Sequence, residues 1–210
     1  MKIALLGAES TGKSQLAQQL RQYILDTGKS TYLVPEYLRT WCEEAKRTPH
    51  KDEQLSIAAE QIRQIHAAAA YDFLLADTTA LTIAVYSDLL FNDASLYRIA
   101  IANQRTFDLT LVMGLDLPWV ADGIQRDGLH MREPVDSALR MALAREGIAF
   151  QVVYGEGKSR LQNALYCLGL VTEKVEQSAE QRSPRMRNWV CERCSDPVCE
   201  HRLFRDLLKK

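Results

Sequence analysis

The residues Gly7-Ala8-Glu9-Ser10-Thr11-Gly12-Lys13-Ser14 match the pattern GxxxxGK[ST]. A loop of this kind turns successive main-chain N–H groups and a helix N-terminus onto polyphosphate oxygens. Lys13 brings positive charge to the β- and γ-phosphates, and the Ser14 hydroxyl is a ligand for Mg²⁺. The expected nucleotide-binding segment is Gly7, Ala8, Glu9, Ser10, Thr11, Gly12, Lys13, Ser14 and Gln15. A glycine-rich turn that binds nothing is the alternative, and the flanks argue against it. The apolar run Met1–Leu6 precedes the loop as a buried strand, and Leu16, Leu20 and Ile24, four apart, follow it as one face of an amphipathic helix. The chain is therefore expected to bind a nucleoside triphosphate, ATP, with Mg²⁺.

Three further regions carry groups suited to phosphoryl transfer. The second apolar run ends in Val34-Pro35-Glu36-Tyr37-Leu38-Arg39. A carboxylate at a strand's carboxyl end suits a general base acting on an attacking hydroxyl, and Pro35 fixes the chain direction beside Glu36. An ordinary surface glutamate at a strand–helix turn is the competing reading. Asp77 closes the third run, Phe73-Leu74-Leu75-Ala76. An acid at the end of a buried strand needs a compensating charge, and Mg²⁺ supplies one. Thr78 and Thr79 are expected to cap the next helix. After the fourth run, residues 116–132 hold two glycines and two arginines. Arg126 and Arg132 are candidates for a lid that closes on ATP and excludes water. A solvated loop whose arginines pair with Asp127 or Glu133 is the alternative, and His130 reads as a surface histidine.

The carboxyl-terminal end carries a separate pattern. Cys191, Cys194, Cys199 and His201 give C-x₂-C-x₄-C-x-H, a Cys₃His set that suits tetrahedral Zn²⁺ in a closed structural site. Asp196-Pro197 supplies the turn between the two ligand pairs. The last spacing is tight, which leaves open a site shared between subunits or a substitute for one ligand, and a reduced, metal-free tail is the competing reading. Leu203, Phe204, Leu207 and Leu208 form an apolar helical stripe that would dock on the main domain or on a partner.

These groups need a scaffold. Strands are expected at Met1–Leu6, Ser30–Val34, Tyr71–Ala76, Asp108–Met113 and Ala149–Tyr154. Helices are expected at Gln15–Leu25, Gln54–Ala70, Thr79–Phe91, Ser95–Asn103, Val135–Glu146 and Gly157–Leu168. Mostly continuous apolar strands alternating with helices mean βαβ units and a doubly wound parallel α/β sheet, with the chemistry at the strands' carboxyl ends. The 210 residues accommodate one such domain and an appendage. The expected division is residues 1–172 for the phosphate-loop domain, a polar linker at 173–188, and the zinc-like tail at 189–210. With 26 basic and 27 acidic side chains the formal charge is −1, so no overall field favours nucleic acid. No run is long enough to cross a bilayer and no signal peptide is read, so a cytoplasmic, soluble protein with reduced cysteines is expected.

Taken together, the motifs resemble the ribosylnicotinamide kinase domain of the bifunctional bacterial NAD-salvage regulators and its free-standing AAA-type ATPase/kinase relatives. The resemblance spans roughly residues 2–156. It rests on Gly7–Ser14, on VPEY-x-R at Val34–Arg39, on Ala59-Glu60-Gln61, on Asp77-Thr78, and on Pro118-Trp119-Val120 with Asp122-Gly123. It implies a nucleoside-kinase-like P-loop fold with sheet order 2-3-1-4-5, and transfer of the ATP γ-phosphoryl to the 5′-hydroxyl of nicotinamide riboside. It further implies that Lys13 and Ser14 hold phosphate and Mg²⁺, that Glu36 or Asp77 serves as base or metal-water anchor, and that Arg39 contacts the substrate. The Trp119–Arg132 loop, including Asp122, would cover the site. Tyr37 or Trp119 would stack on a cationic pyridinium ring. Two departures stand out: Asp77-Thr78-Thr79 replaces an expected Asp-Thr-Asp, and the zinc-like tail is absent from the bifunctional regulators. None of the four histidines forms an HxGH, so adenylyl transfer is not expected.

Two functions compete on the sequence: a small-molecule kinase, and a nucleotide-dependent ATPase switch whose tail engages a protein or nucleic acid partner. The Glu36 and Asp77 pair with an arginine-bearing lid favours the kinase; a homo-oligomer or a protein partner through the tail stays open. The tail itself is testable. Elemental analysis of protein purified under reducing conditions should find about one zinc per chain, and Cys191→Ser should release it. Metal-free protein would defeat the zinc assignment.

Overall fold

Ile3, Ala4, Leu5 and Leu6 expose none of their surface, and a strand so wholly apolar belongs in the middle of a sheet covered on both faces. In the computed structural model, which describes residues 1–68, 70–120 and 128–171, this run is β1 (Lys2–Leu6). It pairs in parallel with β3 (Phe73–Asp77) on one side and β4 (Leu109–Met113) on the other. The edges are β2 (Thr31–Val34) beside β3 and β5 (Gln151–Val153) beside β4. The order is β2-β3-β1-β4-β5, all parallel, as expected.

Seven helices are described: α1 (Lys13–Asp26), α2 (Tyr37–Ala45), α3 (Gln54–Ala67), α4 (Ala80–Phe91), α5 (Tyr97–Gln104), α6 (Arg132–Arg145) and α7 (Gly157–Cys167). Alternation along β1 divides the core. Ile3 and Leu5 meet Leu16, Leu20 and Ile24 of α1 and Ala164 and Leu165 of α7. Leu6 packs instead with Ile57 of α3, Leu81 and Val85 of α4, Ala100 of α5 and Leu139 of α6. Each large aliphatic side chain so buried contributes about 1.5–3 kcal/mol. Among the described residues no helix is long and apolar enough to cross a membrane.

Helix α2 is not among the elements expected from the sequence, and each strand starts one or two residues later than expected. Ser30 and Tyr71-Asp72 lie outside the strands because the Ser30 amide and hydroxyl donate to the Asp72 carboxylate, at 2.9 and 2.7 Å. Asp108 similarly accepts from the Lys2 amide at 2.7 Å. The polar linker and the Cys₃His tail fall outside the described residues.

Thr79 caps α4 as expected, and its buried hydroxyl does more. It accepts from the Leu81 amide at 3.3 Å and donates to Gln104 Oε1 at 2.7 Å, while Gln104 Nε2 donates to Thr110 Oγ1 at 2.9 Å. This chain ties α4, α5 and β4 together. The Thr79 side chain thus faces the fold at the position where the resemblance leads one to expect an acid. Thr79→Ala removes the cap and leaves Gln104 Oε1 without its donor, so urea unfolding should show a loss of about 1–3 kcal/mol. An unchanged midpoint would rule out this role for the chain of hydrogen bonds.

Candidate active site

Residues 7–12 join β1 to α1, and the path of this loop depends on its glycines. Gly12, the residue preceding α1, sits at φ 75°, a left-handed conformation that costs glycine little. A β-carbon there would come within 3.0 Å of Leu117 Cδ1, and one at Gly7 within 3.0 Å of Met113 Cβ. The loop is cross-braced by Thr11 Oγ1 donating to the Ala8 carbonyl at 2.7 Å. Lys13 Nζ donates to the carbonyls of Gly7 and Ala8 at 2.9 and 2.8 Å, which holds the ammonium over the loop. Ser10 Oγ donates to the Val120 carbonyl at 2.7 Å, linking the loop to the segment that leaves β4.

The loop forms one wall of a cavity of about 1030 Å³. Glu9, Ser10, Thr11, Lys13, Ser14 and Gln15 line it, and Glu36 and Arg39 of the β2–α2 region line it too. Glu36 stands immediately before α2. It is placed by Gln61 of α3, a fully buried side chain that accepts from the Tyr37 amide at 2.8 Å and donates to the Pro35 carbonyl at 3.1 Å. The peptide units on both sides of Glu36 are thereby fixed. Thr82, Tyr86 and Phe91 of α4 form a further wall, and Tyr86 Oη makes a long 3.5 Å contact to Glu9 Oε1. The rim at Thr48-Pro49-His50 is held by Arg47, which grips Glu53 at 2.7 and 2.6 Å and the Thr48 carbonyl at 3.0 Å. Arg47, followed by the His50 amide, draws the Glu53 carboxyl down to about 2.

Asp77 ends β3 next to β1 and is 6% exposed. Its Oδ1 is sealed from solvent with no hydrogen-bond partner, as are Thr78 Oγ1 and Thr82 Oγ1. A buried carboxylate oxygen left in this state calls for a cation or its bound water. Together with Ser14 at the start of α1 it fits Mg²⁺. Thr78 holds φ 78°, a costly conformation for a β-branched residue that here sits beside the phosphate loop.

Other expected site residues stand elsewhere. Tyr37 packs on the α3–α6 side of the core and Trp119 is half-buried; neither lines the cavity, whose aromatic wall comes from Tyr86 and Phe91. Arg132 is the first residue of α6 rather than part of an open loop. It is 7% exposed and donates to the Leu117 carbonyl at 2.5 Å, which fastens the segment after β4. Asp122, Arg126, Cys191, Cys194, Cys199 and His201 lie outside the described residues, so the lid and zinc assignments stay expectations. Among the described residues, no group of three His, Cys, Asp or Glu could hold a metal.

Two residues central to the site went unread in the sequence. Arg160 of α7 is 4% exposed and lines the cavity. Its Nε donates to the Gly155 carbonyl at 2.7 Å, one Nη to the Thr11 carbonyl, and the other to Asp116 Oδ1. Asp116 Oδ2 accepts from the Gly155 amide at 2.6 Å. Burial pulls the Arg160 pKa below its ordinary value and Asp116 opposes that pull. One signal was available: Arg160, Ala164 and Leu168 fall four apart, placing an arginine on the apolar stripe.

A family profile described as an AAA domain matches residues 2–160. The chain belongs to that family. No curated protein matches it. Among solved structures it is similar to the NadR protein in complex with NR, at 22% identity and TM-score 0.68, with 85% of this chain and 53% of that one covered. The chain thus spans about half the length of that relative. Deoxyadenosine kinase from M.mycoides is similar in two complexes. The one with dCMP and dCDP aligns at 16% identity and TM-score 0.55, covering 81% of this chain and 100% of that one. The dATP complex aligns at 16% and 0.52, with 80% and 99% covered. The fold is that of a nucleoside-kinase-like P-loop domain.

Lys13 is the loop's own cation. Lys13→Ala should lower ATP turnover by about 10²–10³-fold or more with an unchanged circular dichroism spectrum. Full turnover in that variant would remove the loop from the mechanism.

Proposed function

We propose that this protein is an ATP-dependent small-molecule kinase that phosphorylates the 5′-hydroxyl of nicotinamide riboside to give nicotinamide mononucleotide. The observation that carries the reading is the single cavity that joins the phosphate loop to Glu36, Arg39 and the aromatic wall of Tyr86 and Phe91. A simple nucleotide switch has no use for an acceptor compartment with its own carboxylate and aromatic surface. Support for a nucleoside acceptor comes from the likeness to a kinase of deoxyadenosine, and for the riboside from the likeness to NadR bound to NR.

In the proposed reaction the acceptor oxygen bonds to the γ-phosphorus as the bond from that phosphorus to the β,γ-bridging oxygen breaks, and ADP leaves. Glu36, held by Gln61, takes the hydroxyl proton. It is preferred over Asp77 because it lines the cavity, whereas Asp77 is 6% exposed and is not among the lining residues. The loop amides and Lys13 bind the β- and γ-phosphates and stabilise the charge that collects there. Mg²⁺, when bound by Ser14 and Asp77, supplies further charge neutralisation on those oxygens. Arg39 orients the acceptor, and Tyr86 or Phe91 offers a ring face to a cationic pyridinium, a contact worth about 0.5–2 kcal/mol. The expected Trp119–Arg132 loop, with Asp122 and Arg126, would cover the site, and the Cys₃His tail would add a structural zinc site.

A panel of ribosides incubated with ATP and Mg²⁺, read by mass spectrometry, should yield a monophosphate from nicotinamide riboside. Phosphorylation of other nucleosides but not this one would change the substrate; no product from any, with hydrolysis stimulated by a macromolecule, would favour the switch. With the productive riboside, Glu36→Gln should reduce kcat by about 10²–10⁴-fold and leave ATP affinity near wild type. Equal losses in both would argue against a base.

A further inference from the structure

We propose that Arg160 and Asp116 are positioning residues for the phosphate loop: the buried guanidinium holds the Thr11 carbonyl and thereby keeps the Gly12 amide turned toward the triphosphate. This rests on the reading of that loop as a nucleotide site. The Thr11 carbonyl and the Gly12 N–H belong to one planar trans peptide, so they point in opposite directions. Gripping the carbonyl on one side sets the direction of the amide on the other. Gly12 has φ 75°, and a glycine can leave that conformation at little cost. Something outside the loop must therefore hold the peptide plane, and the contact comes from α7, 149 residues away in the chain.

The chemistry of the contact excludes simple core filling. Arg160 is 4% exposed, and a buried charge is expensive unless it is paired and its donors are met. Three acceptors meet it: the carbonyls of Gly155 and Thr11 and the Asp116 carboxylate. The second carboxylate oxygen is taken by the Gly155 amide. Asp116 therefore locks the β5–α7 turn and the guanidinium at once. The planar fork meets these three acceptors from three separate nitrogens, whereas an ammonium would have to reach all of them from one point on a flexible stem. A packing role alone would be met as well by an apolar side chain, since buried ion pairs replaced by such residues often cost nothing in stability. The segment after β4 joins the same assembly, because Leu117 touches the Gly12 position and Val120 is bonded to Ser10.

The test is calorimetric titration of the full chain with Mg·ATP and, separately, with inorganic tripolyphosphate. Wild type, Arg160→Lys and Asp116→Asn are compared, with thermal midpoints measured alongside. Arg160→Lys keeps the charge and loses the fork; Asp116→Asn keeps the shape but puts an NH₂ donor where one of the two accepting carboxylate oxygens stood, facing either Arg160 or the Gly155 amide. Each should melt below the wild-type temperature, because the buried cation loses part of its pairing, yet stay folded at the titration temperature and bind both ligands about tenfold more weakly or worse. Arg160→Lys binding within twofold of wild type would overturn the proposal, because charge alone would then suffice. So would weakening toward ATP without weakening toward tripolyphosphate, which would make Arg160 a nucleoside contact. If Arg160→Lys does not fold, Asp116→Asn decides by the same two criteria. Wild-type protein that binds neither ligand would instead sink the nucleotide-site reading on which the proposal stands.

Discussion

The first turn of an α-helix carries N–H groups that no carbonyl of its own helix can accept, and everything in this site depends on how α1 leaves them. Most helices satisfy one of these groups with a serine, threonine or aspartate side chain at the cap. Here the cap is Gly12, and no side chain bonds back to the helix. The partial positive charge of that end, the loop amides before it and the Lys13 ammonium all face one cavity. An anion with several oxygens would satisfy them together, which is what the proposed triphosphate offers.

Holding such a loop open requires a rigid surround. The central strand β1 delivers the chain to Gly7 from the middle of a sheet packed on both faces. Its neighbour β3 brings Asp77 to the same edge, in register with Leu5. The α3 side chain Gln61 pins the peptides around Glu36, and α7 reaches back through Arg160 to the Thr11 carbonyl. The acceptor side is built differently, from the apolar and aromatic faces of α4 and the start of α2. The cavity thus joins the phosphate loop to a second set of walls that carry both charged groups, Glu36 and Arg39, and the rings of Tyr86 and Phe91.

Legibility in the sequence followed the range of the interactions. The phosphate loop could be read because its binding groups are contiguous, and the strands because burial on both faces removes polar residues from them. Strand ends were misplaced where a side chain outcompeted the ladder, as Asp72 does by binding Ser30. Helix α2 has the apolar spacing Leu38, Trp41, Cys42 and Ala45, but it is short and begins two residues after Pro35. The second layer of the site was hidden for a plainer reason. Gln61 acts on a peptide 24 residues away and Arg160 on one 149 away, and no local pattern encodes such partners. The aromatic wall of the cavity was hidden similarly, since Tyr37 and Trp119 sit next to site residues in the chain while Tyr86 and Phe91 sit next to them in space.

The central claim is that main-chain amides at the start of α1 grasp phosphate, and amide-resolved NMR addresses it directly. Titration with Mg·ATP should move the Gly12, Lys13 and Ser14 amide resonances strongly, while adenosine at the same concentration leaves them near their free positions. Amides that respond equally to adenosine, or to neither ligand at millimolar concentration in folded protein, would contradict the account.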